Sequence, residues 1–596
     1  MTTLVANVFT EVKAINQPYS YLIPEHLHEN LQVGDQVLVP LKGRTVKGFV
    51  VEIKQQQEFN IKLLPIKKFR GIGPPGKVVE LCRWCAWRWV GSVFYFLKIA
   101  SAEKLYTQKQ KSGINSLNFK SFNITLGTQQ NKIVNECLST DKLIHTLRLR
   151  QPEFMRWLIL AMFTRLQKSL IVLVPTKDEL LRLYQELSQT GAPVKTFKND
   201  WFEITQGNCI VVGNRDAIFA PVPENNLGAI LIYDPSDSSY QDERAPTWHA
   251  SKVARQRSQL ENIPVVFIDP APSFHELYDS KLITVSQTIE RNTWAPVFVI
   301  NATKEDPIKG EFPEIVLNKM RKASQLDQPI AVLVNRIKGA GNLFCKNCYQ
   351  VLNCPNCDSL LLTDELRPPY DTAFCPTCDY HINSQICACG NPKIHLFNKS
   401  LNKVAFELKS ILKTNVSLRS NKLKSDPEKF LVGTTAILNQ EASLALVYLP
   451  YFDQILFAPK LNSFSKALHL LFTCSLRVLK AKGVGIILRT KFPEHPVIKA
   501  AQMGRPYLAQ KCIDDQYKTF YVNDQASFAF VKGSTPQIES WIKQLKSSCS
   551  SLEILGPSKY SKYLIKAPDF KILCETLNAI EHPKDVKIYV EPEDLL

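Results

Sequence analysis

Eight of the sixteen cysteines in this sequence lie close together, between positions 345 and 389. Three pairs have the spacing C-x-x-C, and the fourth pair has the tighter spacing C-x-C. A C-x-x-C turn directs two thiolates toward one point, which is half of a tetrahedral Zn²⁺ site, and two such turns complete it. Eight thiolates make two Cys₄ sites with no open coordination position, so we expect two structural zinc ions per chain. The eight residues are Cys345, Cys348, Cys354, Cys357, Cys375, Cys378, Cys387 and Cys389.

Other uses of these cysteines fit the spacing less well. Scattered thiols or a redox pair do not produce four pairs in one short segment, and a reducing compartment favours metal binding over disulfides. The C-x-C turn chelates less well than C-x-x-C, so His381 is an alternative ligand there. Cys82 and Cys85 also have the C-x-x-C spacing, but they lie in the apolar stretch VVELCRWCAWRWV. We expect that stretch to be helical and both cysteines to belong to a hydrophobic core.

The composition is that of a folded globular chain with a surplus of positive charge. Of 596 residues, 45% are hydrophobic and 21% charged, and this length suggests roughly three to five domains. The 73 basic residues against 55 acidic ones give a net charge of +18, which favours a polyanionic partner; a generally basic protein without one is the alternative. The N-terminus lacks a signal-peptide core, and no apolar run approaches the roughly 18 residues that span a bilayer. We therefore expect a soluble cytoplasmic protein without a membrane partner.

Hydrophobic patterns divide the chain into a β-rich start and two α/β regions. Residues 4–53 alternate or run apolar between Pro and Gly positions, as short strands do. Apolar runs such as LIVLVP and PVVFID then alternate with helical stretches, and a second series follows residue 310. Buried strands that alternate with helices predict parallel sheets. We predict a multidomain α/β protein with a β-rich domain at 1–105, a linker at 106–122, lobes at 123–300 and 301–500, a zinc module at 341–394 within the second lobe, and an α+β domain at 501–596.

Several longer segments follow one another in a distinctive order. They are NQPYSYLIPE near the N-terminus, GNRDAIFAP at 213–221, DSSYQDERAPTWHA at 237–250, and VLVNRIKGAGNLFCKNC leading into the cysteine block. In this order the chain resembles, over nearly its whole length, the replication-restart DNA helicase family called primosomal protein N′, or PriA. The resemblance implies a 3′-end DNA-binding domain, two RecA-like helicase lobes, and a zinc-ribbon-type insertion in the second lobe.

The segments that bind ATP and Mg²⁺ in that family are altered here. Counted back from LIVLVP, the P-loop position is Thr146 to Glu153 (TLRLRQPE). It has none of the glycines whose backbone N–H groups cradle phosphates, and it lacks the Lys and the Ser/Thr of the motif. The Mg²⁺-binding box reads DPSD, and of the family's carboxylates there Asp234 remains able to contact a metal. We therefore expect no bound ATP.

Three further motor segments are also degenerate. The arginine-finger box reads TCSLRVLK, in which Arg477 is retained and Lys480 stands at the second arginine. Lysine does not reproduce the planar fork of arginine on a transferring phosphate. The remaining two boxes read IDPA at 268–271 and GTTAILNQ at 433–440. Among relatives, the pattern resembles the actinobacterial branch without helicase motifs, and the short linker leaves no room for the family's winged helix.

The resemblance also implies where DNA binds. The family's pocket for a 3′-terminal nucleotide maps onto Tyr19, Ser20, Gly43 and Lys62, with Ser20 in place of an Asp. Tyr19 and Tyr21 as plain core aromatics are the alternative. Phosphate contacts are expected from basic residues that a solvated face would explain equally well, namely Lys42, Arg44, Lys47, Lys67, Lys68 and Arg70.

For zinc, the resemblance implies a nested pairing of the cysteines. The outer site would combine Cys345 and Cys348 with Cys387 and Cys389, and the inner site would combine Cys354, Cys357, Cys375 and Cys378. The family ends this module in C-P-x-C-G, whereas this chain has C-A-C-G, with Ile386 at the position of the first Cys. We therefore expect the inner site to be the firmer one and the outer site to be strained or weaker.

Together these features predict a replication-restart protein that binds stalled forks and has lost its motor. Its implied partners are forked DNA with a 3′ end, single-stranded DNA, primosome and helicase-loading proteins, and the single-stranded-DNA-binding protein. It would work in the cytoplasm at the nucleoid. Two alternatives stay open: an active ATP-dependent 3′→5′ helicase, and a zinc-ribbon interaction scaffold without a DNA role.

Overall fold

The computed structural model describes most of the chain in two compact units. It describes all residues except 1–2, 12–16, 57–62, 108–125, 149–151, 270–271, 278, 285–290, 292–293, 305–310, 336–340, 346, 349, 357–358, 376–379, 384–386, 398, 420–427, 459–461, 521–526, 534, 558–561, 584 and 593–596. One unit combines Met1–Val285 with Asp514–Leu596, and the other is Ser286–Ile513. In the described part of the chain, no helix is both long enough and apolar enough to cross a membrane.

The first unit begins with a five-stranded antiparallel sheet in the order β2-β1-β4-β3-β5. Its alternating apolar side chains, among them Val8, Val39 and Val50, form a closed core, which confirms the predicted β-rich start. The strands are β1 (Thr3–Thr10), β2 (Tyr19–Leu22), β3 (Gln36–Leu41), β4 (Arg44–Gln56) and β5 (Lys68–Gly71).

Two helices, α1 (Gly76–Arg88) and α2 (Val93–Ala100), follow the sheet. Cys82 and Cys85 of α1 are fully buried in the hydrophobic core, so their interpretation as core residues is confirmed. Tyr106, the first residue of the predicted linker, stacks on Phe202 with ring centroids 4.7 Å apart and is therefore anchored. Of that linker, residues 108–122 lie outside the described residues.

The centre of the first unit is a seven-stranded parallel sheet in the order β12-β6-β11-β10-β7-β9-β8. Its central strands are completely buried, as the continuous apolar runs predicted. The strands are β6 (Ile144–Arg148), β7 (Ser169–Leu173), β8 (Val194–Thr196), β9 (Ile210–Gly213), β10 (Leu227–Tyr233), β11 (Val265–Ile268) and β12 (Lys281–Thr284). The helices are α3 (Thr128–Cys137), α4 (Pro152–Leu166), α5 (Lys177–Ser188), α6 (Trp201–Ile204), α7 (Ala250–Glu261) and α8 (Phe274–Leu277).

The second unit contains a six-stranded parallel sheet in the order β13-β23-β22-β14-β21-β20. Its strands are β13 (Val297–Asn301), β14 (Ile330–Leu333), β20 (Val416–Arg419), β21 (Phe430–Gly433), β22 (Leu446–Leu449) and β23 (Gly485–Thr490). Its helices are α9 (Glu314–Ala323), α10 (Leu401–Leu412), α11 (Ile437–Gln440), α12 (Phe452–Leu456), α13 (Ser463–Lys480), α14 (Pro496–Met503) and α15 (Gln510–Phe520), the last of which continues past Ile513.

Two of the predicted lobe boundaries differ from those of the compact units. We placed the first boundary after residue 300, but Val297 to Asn301 pair in parallel with β23 and so belong to the second sheet. We placed the second after residue 500, inside α14, whose apolar face is buried in the second unit. Both differences arise because the elements are held by partners far away in sequence.

The predicted zinc module forms its own antiparallel sheet in the order β18-β17-β16-β15-β19. Its strands are β15 (Gly341–Cys345), β16 (Leu362–Thr363), β17 (Thr372–Phe374), β18 (His381–Asn383) and β19 (Ile394–Phe397). The module is fixed to α10 of the same unit, where the buried Lys403 ammonium donates to the Leu366 carbonyl oxygen at 2.6 Å.

The C-terminal part of the first unit is a four-stranded antiparallel sheet with two helices, the α+β arrangement that we predicted there. The elements are β24 (Ser527–Lys532), α16 (Thr535–Ser548), β25 (Glu553–Leu555), β26 (Lys562–Ala567), α17 (Phe570–Ala579) and β27 (Lys587–Val590). This sheet is joined to the rest of its unit by buried contacts. The Thr247 hydroxyl donates to the Val590 carbonyl oxygen at 2.8 Å, and Arg88 Nη2 donates to Glu591 Oε2 at 2.8 Å.

Candidate metal centre and nucleic-acid interface

The four outer cysteines converge on one point. Cys345 ends β15, Cys348 follows in the next turn, and Cys387 and Cys389 lie in the turn before β19. The sulfur atoms of Cys345 and Cys389 are 3.6 Å apart, those of Cys348 and Cys387 are 3.4 Å apart, and all four lie within 4.8 Å of one another. Four sulfurs about 2.3 Å from a tetrahedral Zn²⁺ would be about 3.8 Å apart. These four residues therefore fit a Zn²⁺ ion.

A repeated backbone loop explains how the cysteines reach this geometry. The N–H groups of Cys345, Cys354 and Cys375 each donate to the carbonyl oxygen five residues later, at 2.9, 2.8 and 2.8 Å. Each bond spans one C-x-x-C sequence, and in the first of these loops the sulfurs of Cys345 and Cys348 both belong to the converging group. We did not predict these backbone hydrogen bonds from the sequence, although the fixed C-x-x-C spacing could have indicated them.

The C-x-C loop uses a shortened version of the same device. The Cys387 N–H donates to the carbonyl oxygen of Asn391, four residues later, at 3.3 Å, and Gly390 takes up a left-handed φ of 77°. The loop has lost one residue, and the hydrogen bond closes one residue earlier. The sulfurs of Cys387 and Cys389 reach the outer group through this shorter loop, and the lower strength of the outer site stays a prediction. His381, the alternative ligand, is not a member of this converging group.

The inner set is described in part. Cys354 and Cys375 are buried in the core of the module, with 2% and 1% of their surface exposed. Cys357 and Cys378 lie outside the described residues, so the inner site stays a prediction. Among the described residues, the four outer cysteines form the one group of potential metal ligands whose ligand atoms lie this close together. No group of carboxylates or histidines in the described ranges does so.

A tight hairpin in the N-terminal sheet carries the residues expected to contact phosphate. Lys42 (φ 48°) and Gly43 (φ 77°) form the two-residue connection between β3 and β4, a type I′ geometry that requires positive φ at both positions. An added Cβ at Gly43 would meet no heavy atom within 4 Å, so the tip is open to a ligand. Exposed lysines and arginine surround it; we call Lys42, Arg44, Lys47, Lys67 and Lys68 the basic hairpin surface.

The other expected DNA contacts lie on the edge strand β2. Tyr19 is half-buried against the core of the sheet and Ser20 is exposed, while Tyr21 is buried and donates to the Pro40 carbonyl oxygen at 3.1 Å. Tyr21 is thus a core aromatic, as our alternative for the pair stated, and Tyr19 keeps an accessible face. Lys62 lies outside the described residues. Sequence reasoning overlooked Asn7 and Glu52, which extend from Ser20 across the sheet.

At the position of the P-loop motif the chain passes from a strand to a helix within three residues. Strand β6 continues to Arg148 and helix α4 begins at Pro152, so three residues, 149–151, connect them. The P-loop motif is eight residues long, and its loop must wrap around the phosphates before the helix begins. Thr146, at the first motif position, lies fully buried within β6 and donates to the Glu276 carbonyl oxygen at 2.7 Å.

The remnant Mg²⁺ box lies at the carboxyl ends of β10 and β11. Asp234 is buried in a left-handed conformation (φ 49°). Ser236, which with Pro235 stands where the resemblance implies a water-positioning carboxylate, donates to Asp269 Oδ2 at 2.8 Å. A neutral hydroxyl that is held by a neighbouring carboxylate cannot act as a base toward water.

The retained arginine of the finger box lies in the other unit. Arg477 is half-buried in α13, and its carbonyl oxygen accepts from the Leu444 N–H at 3.2 Å. Lys480 ends the same helix, and its side chain is outside the described residues. Both positions therefore lie in one helix of the second unit.

A buried carboxyl beside the former Mg²⁺ box makes stability depend on pH. Burial, followed by the charge of Asp269, raises the pKa of Glu276 to about 7. The unfolded chain loses this proton near the ordinary value of about 4.5, so folding loses stability as pH rises from 4.5 to 7. Glu276→Gln should remove a cost of up to about 3 kcal/mol above pH 7, since one pKa unit corresponds to about 1.4 kcal/mol.

Urea unfolding at pH 5 and pH 8 measures this effect. Glu276→Gln should be more stabilising at pH 8 than at pH 5, whereas the same change at the exposed Glu203 should show no such difference. An equal effect of Glu276→Gln at both pH values would refute the assignment.

Known proteins resemble this chain in the N-terminal domain and beyond. Residues 7–101 match the family model of the PriA 3′DNA-binding domain. The replication restart protein PriA of Synechocystis is 23% identical over 436 residues, 64% of this chain and 52% of that protein. PriA of Bacillus subtilis is 23% identical over 342 residues, 53% of this chain and 41% of that protein.

Coverage differs among relatives. PriA of Rickettsia felis is 22% identical over 538 residues, 82% of this chain and 80% of that protein. The match to the Synechocystis and Bacillus proteins, in contrast, spans about half of their length or less. Among solved structures, Saccharomyces cerevisiae Dbp5 bound to RNA and ADP BeF3 covers 66% of this chain at 8% identity, with a TM-score of 0.36 over 93% of that chain. A similarity this low supports no conclusion about fold or function.

Proposed function

We propose that this chain, a member of the PriA family of replication restart proteins, binds stalled or abandoned replication forks at a free 3′ DNA end and helps to reload the replicative helicase without using ATP. The observation that carries the proposal is the match of residues 7–101 to a 3′DNA-binding domain. The same residues fold into a sheet whose open hairpin tip bears an accessible basic surface. Forked DNA and single-stranded DNA are the ligands that follow from this proposal.

The proposed loss of motor activity rests on the site where ATP would bind. Three residues connect β6 to α4 where the P-loop motif would need a longer loop, and Pro235 or Ser236 stands where the resemblance implies a water-positioning carboxylate. Both features support the proposal. The two parallel sheets would then serve as degenerate RecA-like lobes, retained as scaffold. Each missing group costs orders of magnitude in the stabilisation of the transition state.

The zinc module would give the scaffold a rigid surface for other proteins. Its outer cysteines fit one Zn²⁺, which would hold the two ends of the module together and supply folding energy to a segment with a small core. We propose that primosome and helicase-loading proteins, and the single-stranded-DNA-binding protein, contact this module or the lobes. The protein would act in the cytoplasm, associated with the nucleoid.

Fluorescence anisotropy of labelled DNA tests the proposed function. The chain should bind a fork with a free 3′ end more tightly than a blunt duplex of equal length at the same salt concentration. Affinity no better than for the blunt duplex would reject fork recognition and favour an interaction scaffold without a DNA role.

The salt dependence of the same measurement tests the basic hairpin surface. Each phosphate contact removed should reduce the slope of log K against log salt by about 0.9. Arg44→Ala should therefore weaken binding to all DNA forms and reduce this slope, whereas Lys77→Ala on α1, a lysine that pairs with Glu80 at 3.4 Å, should leave it unchanged. Equal slopes for wild type and Arg44→Ala would show that the hairpin does not contact phosphate.

A further inference from the structure

A row of three polar side chains crosses the N-terminal sheet beside the expected end-binding position. Asn7 on β1 is directly opposite Ser20 on β2 and opposite Glu52 on β4. Ser20 Oγ donates to Asn7 Oδ1 at 2.8 Å, and Asn7 Nδ2 donates to Glu52 Oε2 at 2.8 Å. The three residues form a continuous chain of hydrogen bonds that ends at the exposed hydroxyl of Ser20.

The carboxylate of Glu52 sets the direction of every bond in this row. An ionised carboxylate only accepts hydrogen bonds, so Asn7 must present its NH₂ group to Glu52 and its carbonyl oxygen to Ser20. The single hydrogen of the Ser20 hydroxyl is then committed to Asn7. What Ser20 presents outward is a pair of acceptor sites and no donor.

Neighbouring cations keep Glu52 in the form that this argument requires. Lys54 Nζ lies 3.0 Å from Glu52 Oε1. A hydrogen bond from Lys54 has the largest effect and lowers the pKa of Glu52. Burial, the next largest, raises this pKa, but a hydrogen bond from Asn7 and the charges of Lys54 and Arg83 lower it further, so the net shift is downward. The group is therefore ionised throughout the neutral range.

We propose that Glu52 and Asn7 are specificity-determining residues that orient Ser20 as a hydrogen-bond acceptor for the hydroxyl group of a terminal nucleotide. A sugar hydroxyl can donate to Ser20, whereas an end without the hydroxyl leaves Ser20 unpaired, and a terminal phosphate brings only acceptor oxygens and negative charge. The resemblance implies an Asp at the position of Ser20. In this chain the carboxylate is that of Glu52, which acts on the DNA end through Asn7 and Ser20. This inference rests on the proposed binding of 3′ ends.

Matched DNA ends measure the selectivity. The probes are one fork with a 3′-hydroxyl, a 2′,3′-dideoxy or a 3′-phosphate terminus, each titrated with the full-length chain at one salt concentration. A single hydrogen bond of ordinary strength predicts that the wild type prefers the hydroxyl end over the dideoxy end by about three- to tenfold. The ratio of the two affinities cancels general effects of charge on DNA binding.

Substitutions test whether the row of Ser20, Asn7 and Glu52 determines the ratio of affinities for hydroxyl and dideoxy ends. Glu52→Gln has an amide that can donate to Asn7 as well as accept from it, so Asn7 is free to turn over and the ratio should fall toward one. Ser20→Ala should abolish the preference altogether. Glu80→Gln, which removes an exposed carboxylate from α1 of the same domain, should keep the wild-type ratio.

The outcomes separate this inference from the proposed function. A wild type that prefers the free 3′ end to blunt duplex but binds hydroxyl and dideoxy ends equally would overturn the inference and leave the function standing. A Glu52→Gln protein that retains the full wild-type ratio would do the same. A wild type without any preference for the 3′ end would overturn both.

Discussion

Replacing Cys387 by serine is expected to remove one zinc ion from each chain and to unfold the ends of the zinc module. Its sulfur lies 3.4 Å from that of Cys348, and serine cannot offer a thiolate to the shared ion. Zinc binding contributes about 10–16 kcal/mol of apparent free energy in small structural sites, so loss of one of four ligands should be severe. Zinc measured by atomic emission should fall from two per chain toward one.

Cys549→Ser is the matched control, since this thiol lies in the C-terminal part of the other unit, where it contacts Ser551. It should leave the zinc content unchanged, whereas Cys387→Ser should also become sensitive to protease between residues 341 and 394. A folded Cys387→Ser protein with the full zinc content would contradict the outer site.

The second large effect is expected at Glu591, just beyond β27. Its carboxylate is 7% exposed and contacts the buried Arg88, whose Nη2 is 2.8 Å from Oε2, and the half-buried Lys252 at the same oxygen. Removal of the carboxylate leaves Arg88 buried, and Lys252 half-buried, without this partner. Breaking a buried ion pair in this way costs about 3–5 kcal/mol, so Glu591→Ala should lower the free energy of unfolding by that amount.

Glu553→Ala serves as the control, because that carboxylate is 55% exposed and lies 3.8 Å from Lys566. An exposed pair of this kind is worth less than about 1 kcal/mol. Urea unfolding should separate the two variants clearly, and equal midpoints would show that the buried network does not hold the C-terminal sheet.

Acid should weaken the same network. Burial alone would raise the pKa of Glu591, but Arg88 and Lys252 hold the pKa well below the usual range. The carboxylate therefore contributes stability above the ordinary pKa of about 4.5, and this contribution is lost as pH falls below that value.

The sequence predicted the strands well, because their signal is local. Apolar runs such as Ile230 to Ile232 are fully buried in the sheet, and a run of this kind has few other uses in a globular chain. Strand β13 was assigned to the wrong lobe because its partner β23 follows almost two hundred positions later. No local pattern shows which of two sheets such a strand joins.

The cysteines of the candidate outer zinc site were predicted from the sequence, and the greater strength of the inner site stays a prediction. The spacing of the pairs identified the cysteines, but we took the missing residue between Cys387 and Cys389 as a defect. In the structure, a hydrogen bond closes this loop on Asn391, four residues after Cys387, whereas the other loops close five residues after their first Cys. Backbone closure of this kind depends on residues outside the motif, so the spacing alone could not show it.

The segments 213–221 and 237–250, which resemble the family, make structural contacts. Arg215 donates through Nη1 to the Gln241 carbonyl oxygen at 2.8 Å and lies 3.0 Å from Asp242, while the Tyr95 hydroxyl reaches Asp242 at 3.2 Å. Gln241 in turn donates to the carbonyl oxygen of Glu591 at 2.8 Å. These contacts connect the N-terminal helices, the parallel sheet and the C-terminal sheet of one unit, a role that does not need ATP.

The central claim, a fork-binding protein without a motor, is tested most directly by DNA-stimulated ATP hydrolysis. The full-length chain, in a preparation shown to bind forked DNA, is assayed for phosphate release with and without that DNA. We predict no release above the rate without protein. DNA-stimulated turnover that disappears in Asp234→Asn and Arg477→Ala would contradict the claim and identify an active motor.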